Sequence, residues 1–182
     1  GVPFTVTVVS DGCTDGSDDL IDGLVGSGHV PGVHHVRHDR NRGKGAALLT
    51  GFTEARTPLV GFIDADGDLP PSLIGTLVSA QQDLDADVVF GSKVAAGSDV
   101  RNSAVRTITS VGYRTLIRVL FRLDIPDTQT GVKLYRTAMI ASVLPTLREE
   151  KFALDLEIFI AARAAGYSSF CEVPVTLVRE HG

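Results

Sequence analysis

Only two cysteines occur in 182 residues, Cys13 and Cys171, far apart and in no CxxC pair. That argues against a disulfide scaffold or a zinc site and makes a reduced, cytosolic setting the default. No apolar run approaches the ~18 residues of a bilayer span, and no signal peptide is recognised, so any membrane contact is expected to be peripheral. Internal repeats and low-complexity linkers are absent. A positive balance is missing too: 17 Lys and Arg against 22 Asp and Glu give a formal net charge of -5. Nothing in that charge calls for a nucleic-acid partner. What is present, 43% hydrophobic and 21% charged residues, is a globular composition. The length suits a single domain over 1–182 with a substantial core.

Strand-like and helix-like segments alternate along the chain. PFTVTVVS (3–10) is β-branched and apolar, and DGCTDGS after it reads as a turn rich in capping residues. A helix is predicted over 17–25, a short strand over 32–38, and a helix opened by glycines over 43–55. TPLVGFID (57–64) is the continuous apolar strand expected where both faces are covered. A helix starting at prolines follows over 70–84, then a strand over 86–92. A long helix is expected over 103–123, a loop at DIPDTQTG, a helix over 154–165 and a strand over 168–178. This alternation predicts an α/β fold with a mostly parallel central sheet flanked by helices.

Ligands of parallel α/β sheets gather at the carboxyl ends of the strands. Three polar clusters fall there: SDGCTDGS (10–17), DADGD (64–68) and the GS of 91–92. Asp11 alone is as readily a helix cap as a ligand contact; three such ends together point to a site. NRGKGAA (41–47) resembles a phosphate loop without the GxxxxGK[ST] spacing. Its glycines and helix start could offer N–H groups to an anion, with Arg42 and Lys44 adding positive charge. An ordinary glycine-rich helix start is the alternative.

Asp64, Asp66 and Asp68 would share one face of an extended chain. Carboxylates that close repel by roughly 4 kcal/mol per pair at ~4 Å and an effective dielectric of about 20. Either a cation sits among them or the chain turns and separates them. Oxygen ligands of this kind suit Mg²⁺ or Mn²⁺; the alternative is a solvated acidic turn shaped by Gly67 and Pro70. His34, His35 and His38 would split between the two faces of a strand, which argues against a metal site. Arg106, Arg114, Arg118 and Arg122 lie in the long predicted helix, the last three at four-residue spacing. They form either a solvated face or an interfacial stripe that meets anionic headgroups.

Taken in order, SDGCTDGS, NRGKGAALLTGF, FIDADGDLPP, GSK, DTQTGVKLYR and EVPV resemble glycosyltransferase family 2. More narrowly they resemble its dolichyl-phosphate and polyprenyl-phosphate sugar synthases, and NRGKGAA with DTQTGVKLYR leans toward the glucosyl branch. The resemblance implies a GT-A fold, a nucleotide-sugar donor (UDP-glucose ahead of GDP-mannose) and Mg²⁺ or Mn²⁺. It further implies inverting transfer of a hexose to a polyprenyl or dolichyl phosphate, at the cytoplasmic face of an anionic membrane.

Residue roles follow from the same resemblance. Asp11 would contact the donor's base, with Asp15 shaping that loop, and Arg42 and Lys44 would lie near the base or diphosphate. Asp64 and Asp66 would form the DxD pair, Asp66 most directly on the metal, with Asp68 as a further ligand. Lys93 stands where an arginine is more usual, keeping the charge without the bidentate fork. Asp127, Thr128 and Gln129 would line the sugar and acceptor pocket, and Asp155 and Glu157 would face the active site from a helix. Ser10 replaces the acidic residue usual before Asp11. Relatives carry an earlier strand and continue past VREHG, so an incomplete domain lacking the first strand is expected. A phosphate acceptor, with its second pKa near ~6, needs no strong base. A sugar hydroxyl would need one, and Asp155 is the candidate. A non-catalytic nucleotide-sugar-binding remnant is the second reading.

Overall fold

A computed structural model describes residues 2–93, 95, 121, 125 and 129–178. These fall into two compact units, Gly1–Arg56 with Leu147–Leu154, and Thr57–Thr146 with Asp155–Gly182.

In the first unit the β-branched run of β1 (Val6–Asp11) pairs in parallel with β2 (Val33–His38). The register runs from Val6 opposite Val33 to Asp11 opposite His38, so both strands end at the same level. Parallel neighbours need a crossover, and α1 (Ser17–Gly26) supplies it. Asp18 and Asp19 occupy its first turn, where the helix dipole favours negative charge. α2 (Lys44–Thr53) then packs on β1, with Gly45, Ala46 and Phe52 buried.

The second unit holds β3 (Leu59–Ile63), α3 (Leu73–Leu84), β4 (Val88–Ser92) and β5 (Val132–Arg136). After them come α4 (Thr137–Val143), α5 (Leu154–Ala164) and β6 (Phe170–Pro174). The strand order is β3-β5-β4-β6. Every residue of β4 is buried, as its unbroken apolar run requires of a strand covered on both faces. Leu77 of α3, fully buried, sits in one cluster with Val89, Val132, Leu134 and Val173. Phe159 of α5 meets Phe90 and Phe170 edge-on, at centroid distances of 5.4 and 5.5 Å. Edge-to-face pairs add about 0.5–1.5 kcal/mol beyond their buried area.

Parallel pairing holds for β1–β2 and β4–β6, but β5 runs antiparallel to both β3 and β4. Neither β5 nor α4 is predicted from the sequence. β5 hides because Lys133 interrupts its apolar run although that lysine is fully buried. α4, at seven residues, is too short to show a helical period. Of the helix expected over 103–123, only Phe121 is described, so Arg106 and the arginine stripe at 114, 118 and 122 lie outside the described residues. Among the described residues no helix is long and apolar enough to cross a membrane.

Candidate functional site

The first unit contains Asp11, Asp15, Arg42 and Lys44. β1 and β2 finish side by side, which sets Asp11 against His38: Nδ1 of the imidazole lies 2.7 Å from Asp11 Oδ1. A carboxylate only accepts, so Nδ1 carries the proton; Nε2, 2.9 Å from Thr50 Oγ1, is then free to accept from that hydroxyl. The Arg42 amide donates to both Asp11 oxygens, at 3.0 and 3.1 Å, and the Gly43 amide donates to Oδ2 at 2.7 Å. Burial opposes the charge on Asp11, but the His38 bond and the two amides outweigh it and hold the carboxyl below its usual pKa. The start of α2 therefore does present N–H groups to an anion, and that anion is Asp11.

Further along, the Ala46 amide donates to the Glu150 carbonyl at 2.9 Å. A Cβ at Gly45 would stand 2.5 Å from the Glu150 carbonyl carbon and 2.7 Å from the Lys151 nitrogen. Gly45 is thus required for the 147–154 segment to pass. Arg42 reaches Glu150 at 3.3 Å, with both side chains about half exposed. Asp15 accepts from the Ser17 amide at 3.1 Å, and bonds to the Ser17 side chain and amide lower its pKa.

One constellation in this unit has no counterpart in the sequence reading. Ser10 is buried, and its Oγ lies 3.0 Å from His35 Nε2, while His35 Nδ1 lies 2.6 Å from Asp22 Oδ1. Arg37 bonds the other Asp22 oxygen and the Asp18 carbonyl. The His35 bond, ahead of the Arg37 charge, lowers the Asp22 pKa despite opposition from burial. His35 and His38 thus serve as hydrogen-bonding residues that tie β2 to α1, β1 and α2. The signal available was the pair of acids in the first turns of the predicted helix opposite a His-rich strand.

The second unit contains Asp64, Asp66, Asp68, Lys93, Gln129 and Asp155. The Asp64 amide donates to the Gly131 carbonyl at 2.8 Å, extending the β3–β5 ladder one residue beyond Ile63 opposite Val132. A Cβ at Gly131 would stand 2.6 Å from Asp64 Cγ. The Asp64 carboxylate fills the space a side chain would need there. Beyond it the chain turns: Gly67 adopts a positive φ of 79°, and Asp66 Oδ1 accepts the Asp68 amide at 3.0 Å. The turn takes the three carboxylates out of the single extended face.

Among the described residues, no group of three or more His, Cys, Asp or Glu side chains could hold a metal ion by itself. Mg²⁺-type sites that serve nucleotides take one or two carboxylates and complete their shell with phosphate oxygens and water. Asp64 and Asp66, hard oxygen donors at the end of a strand, fit a cation of that kind, one that arrives with a diphosphate.

Lys93 lies one residue past β4, half-buried. Gln129 is exposed and Thr130 buried, whereas Asp127 and Thr128 lie outside the described residues. Asp155 is 3% exposed and pairs with Lys133 Nζ at 2.9 Å. Burial, and after it the Asp155 charge, pushes the neighbouring Tyr135 hydroxyl well above its usual pKa, so Tyr135 is neutral.

Residues 2–144 match the family model described as Glycosyl transferase family 2. The dolichyl-phosphate beta-glucosyltransferase of Saccharomyces cerevisiae is 31% identical over 140 residues, 70% of this chain and 42% of that protein. Glucosyl-3-phosphoglycerate synthase of Mycobacterium tuberculosis, solved with Mn²⁺, UDP and glucosyl-3-phosphoglycerate, aligns at a TM-score of 0.68 and 17% identity. That alignment covers 98% of this chain and 61% of the other. A mannosyltransferase of Pyrobaculum calidifontis, solved with GDP-Man and Mn²⁺, aligns at 0.64 and 18% identity, covering 98% and 49%. The fold is accordingly the α/β GT-A type. The chain spans about half the length of the curated relatives it matches.

Proposed function

This chain belongs to glycosyltransferase family 2, and on that premise we propose that it moves glucose from UDP-glucose to a polyprenyl or dolichyl phosphate. The names of its relatives support the donor sugar and the lipid acceptor. The observation that carries the choice of acceptor is the state of Asp155. A hydroxyl acceptor must lose its proton to a base within hydrogen-bond reach, yet this carboxylate is buried against Lys133. A phosphate monoester, with a second pKa of about 6, arrives already ionised and needs no such base.

In the proposed reaction an oxygen of the lipid phosphate forms a bond to the anomeric carbon as the bond from that carbon to UDP breaks. Attack from the face opposite the leaving diphosphate inverts the configuration. Asp64 and Asp66 would hold a divalent cation, Mg²⁺ or Mn²⁺, which neutralises charge on the departing diphosphate. Asp11 contributes by fixing the 42–43 amides and, with them, the loop that carries Arg42 and leads into Lys44 of α2. A lipid acceptor also brings the reaction to a membrane surface, for which the cytoplasmic face is the proposed side.

The test supplies radiolabelled UDP-glucose and dolichyl phosphate to the full chain, with Mn²⁺ or with EDTA, and counts label extracted into organic solvent. Mn²⁺-dependent, acid-labile glucolipid is the expected product. Transfer only from GDP-mannose would move the assignment to the mannosyl branch. Transfer to a glycan hydroxyl and not to the lipid would overturn the acceptor. UDP binding without transfer to either would leave a nucleotide-sugar-binding remnant.

A further inference from the structure

We infer that the buried Lys133–Asp155 pair is a positioning device for the Asp64 carboxylate, acting through the Thr130–Gly131 segment that leads into β5. The inference rests on the metal-dependent reading above for its consequence, but its geometry is independent of that reading.

Lys133 is the second residue of β5 and is fully buried, as are Val132 and Tyr135 of the same strand. Leaving an ammonium there is costly, and a methionine of similar length would pack without that cost. The charge is instead used in specific directions. Nζ donates to the Thr130 carbonyl at 2.7 Å, meets Asp155 Oδ1 at 2.9 Å, and stands 5.1 Å from the centroid of the Phe62 ring. Phe62 is the residue opposite Lys133 in the β3–β5 register. The lysine therefore bends back along its own strand and fixes the carbonyl three residues earlier.

That carbonyl belongs to the residue before Gly131, whose own carbonyl accepts the Asp64 amide at 2.8 Å. Gly131 also leaves the pocket in which the Asp64 side chain lies, since a Cβ there would come within 2.6 Å of Asp64 Cγ. The chain of contacts is continuous. Asp155, at the start of α5, orients the Lys133 ammonium; the ammonium holds Thr130; the Thr130–Gly131 segment sets both the backbone and the side chain of Asp64. A buried ion pair is weak support for stability but gives direction and register. Here the direction is that of a carboxylate assigned to the metal. Outer partners of metal ligands commonly govern affinity by about 10–100-fold.

The experiment compares the wild-type chain with Lys133→Met/Asp155→Leu, which removes both charges and leaves no ion unpaired. UDP binding is measured by calorimetry with Mn²⁺ and with EDTA, and hydrogen exchange is followed at the Asp64 amide. The double variant is expected to melt close to wild type and to bind UDP equally in EDTA. Its Mn²⁺-dependent gain in affinity should fall by about ten-fold or more, and the Asp64 amide should exchange faster while β4 amides keep their protection. An unchanged Mn²⁺-dependent gain in the folded double variant overturns the inference. If the double variant fails to fold, Asp155→Glu serves: it keeps both charges, shifts the contact by one methylene, and must still weaken the Mn²⁺-dependent step. Wild-type behaviour of that variant overturns the inference as well. Should wild type itself show no Mn²⁺ dependence, the metal reading fails, and the Asp64 amide decides: unchanged exchange in the variant defeats the positioning role, and faster exchange upholds it.

Discussion

The Gly43 amide donates to Asp11 Oδ2 at 2.7 Å, so the anion held at the start of α2 is one of the protein's own carboxylates. A helix start with glycines and two cations looks from sequence like a phosphate cradle. In the folded first unit, the same N–H groups close a loop onto the end of β1. The carboxylate joins three segments, the ends of β1 and β2 and the 41–43 loop, through its bonds to His38, Arg42 and Gly43. Losing it would loosen the loop that carries Arg42 and leads into Lys44 at the start of α2.

Acid titration should expose that bond. The folded-state pKa of Asp11 is lowered, so the ionised carboxylate is the stabilising form. Its contribution is fully present above the unfolded value, about 3.9, and is lost as pH falls through the lower folded value. Asp11→Asn should melt below wild type at pH 6, and the gap should narrow toward pH 3. Melting curves across that range check it. A gap that stays constant down to pH 3 would mean the carboxylate charge is not what holds the loop.

Arg42 and Gly45 lie three positions apart in sequence and should behave very differently. Gly45→Ala drives a methyl group into the backbone of Glu150 and Lys151. Overpacking of this kind costs about 1–3 kcal/mol. Arg42→Ala breaks only an exposed pair with Glu150, a contact type worth about 0–1 kcal/mol. Urea unfolding of both variants tests the contrast, and equal losses would contradict it. If the glycine instead served a diphosphate, Gly45→Ala would unfold like wild type and fail only in UDP binding.

How much of this was legible follows the reach of each signal. β3 and β4 stood out because consecutive apolar residues mark strands; β4 is buried throughout as that pattern predicts, whereas β3 is only half-buried and Gly61 is exposed. β5 did not, because its buried Lys133 is paired with Asp155, a partner 22 positions away that no local pattern reveals. The aspartates of DADGD were legible as an electrostatic problem, and the solution, a turn closed by the Asp68 amide on Asp66, is a local one. Gly45 and Gly131 could be noticed but not explained, since the atoms that exclude their side chains come from distant segments. The pairing of Asp155 with Lys133 was out of reach for the same reason: its burial is tertiary.

Asp66→Asn tests the metal side of the site directly. The substitution keeps the side-chain oxygen that accepts the Asp68 amide, so the turn should survive. What it removes is the negative charge, and affinity for a divalent cation depends on ligand charge. The Mn²⁺-dependent part of UDP binding should fall about ten-fold or more, the scale seen even for outer-shell changes at metal sites. Calorimetry with and without EDTA measures it. Unchanged Mn²⁺ dependence, at an unchanged melting temperature, would remove Asp66 from the metal.

Gly131→Ala probes Asp64 without touching it. The added methyl group would stand 2.6 Å from Asp64 Cγ and 2.9 Å from its Cβ, so the whole carboxylate must swing away or the end of the β3–β5 ladder must open. The pairs Ile63–Val132 and Phe62–Lys133 lie farther into the sheet and should hold the fold together. The variant is therefore expected to remain folded yet lose Mn²⁺-dependent UDP binding about as fully as Asp64→Ala does. Groups acting through one another are not additive, which makes the double variant informative. Gly131→Ala/Asp64→Ala should bind no worse than Asp64→Ala alone, because the methyl group then has no carboxylate to displace. Additive losses would show that Gly131 acts on the site by another route, and wild-type binding by Gly131→Ala would show that the Asp64 carboxylate need not lie where Gly131 makes room for it.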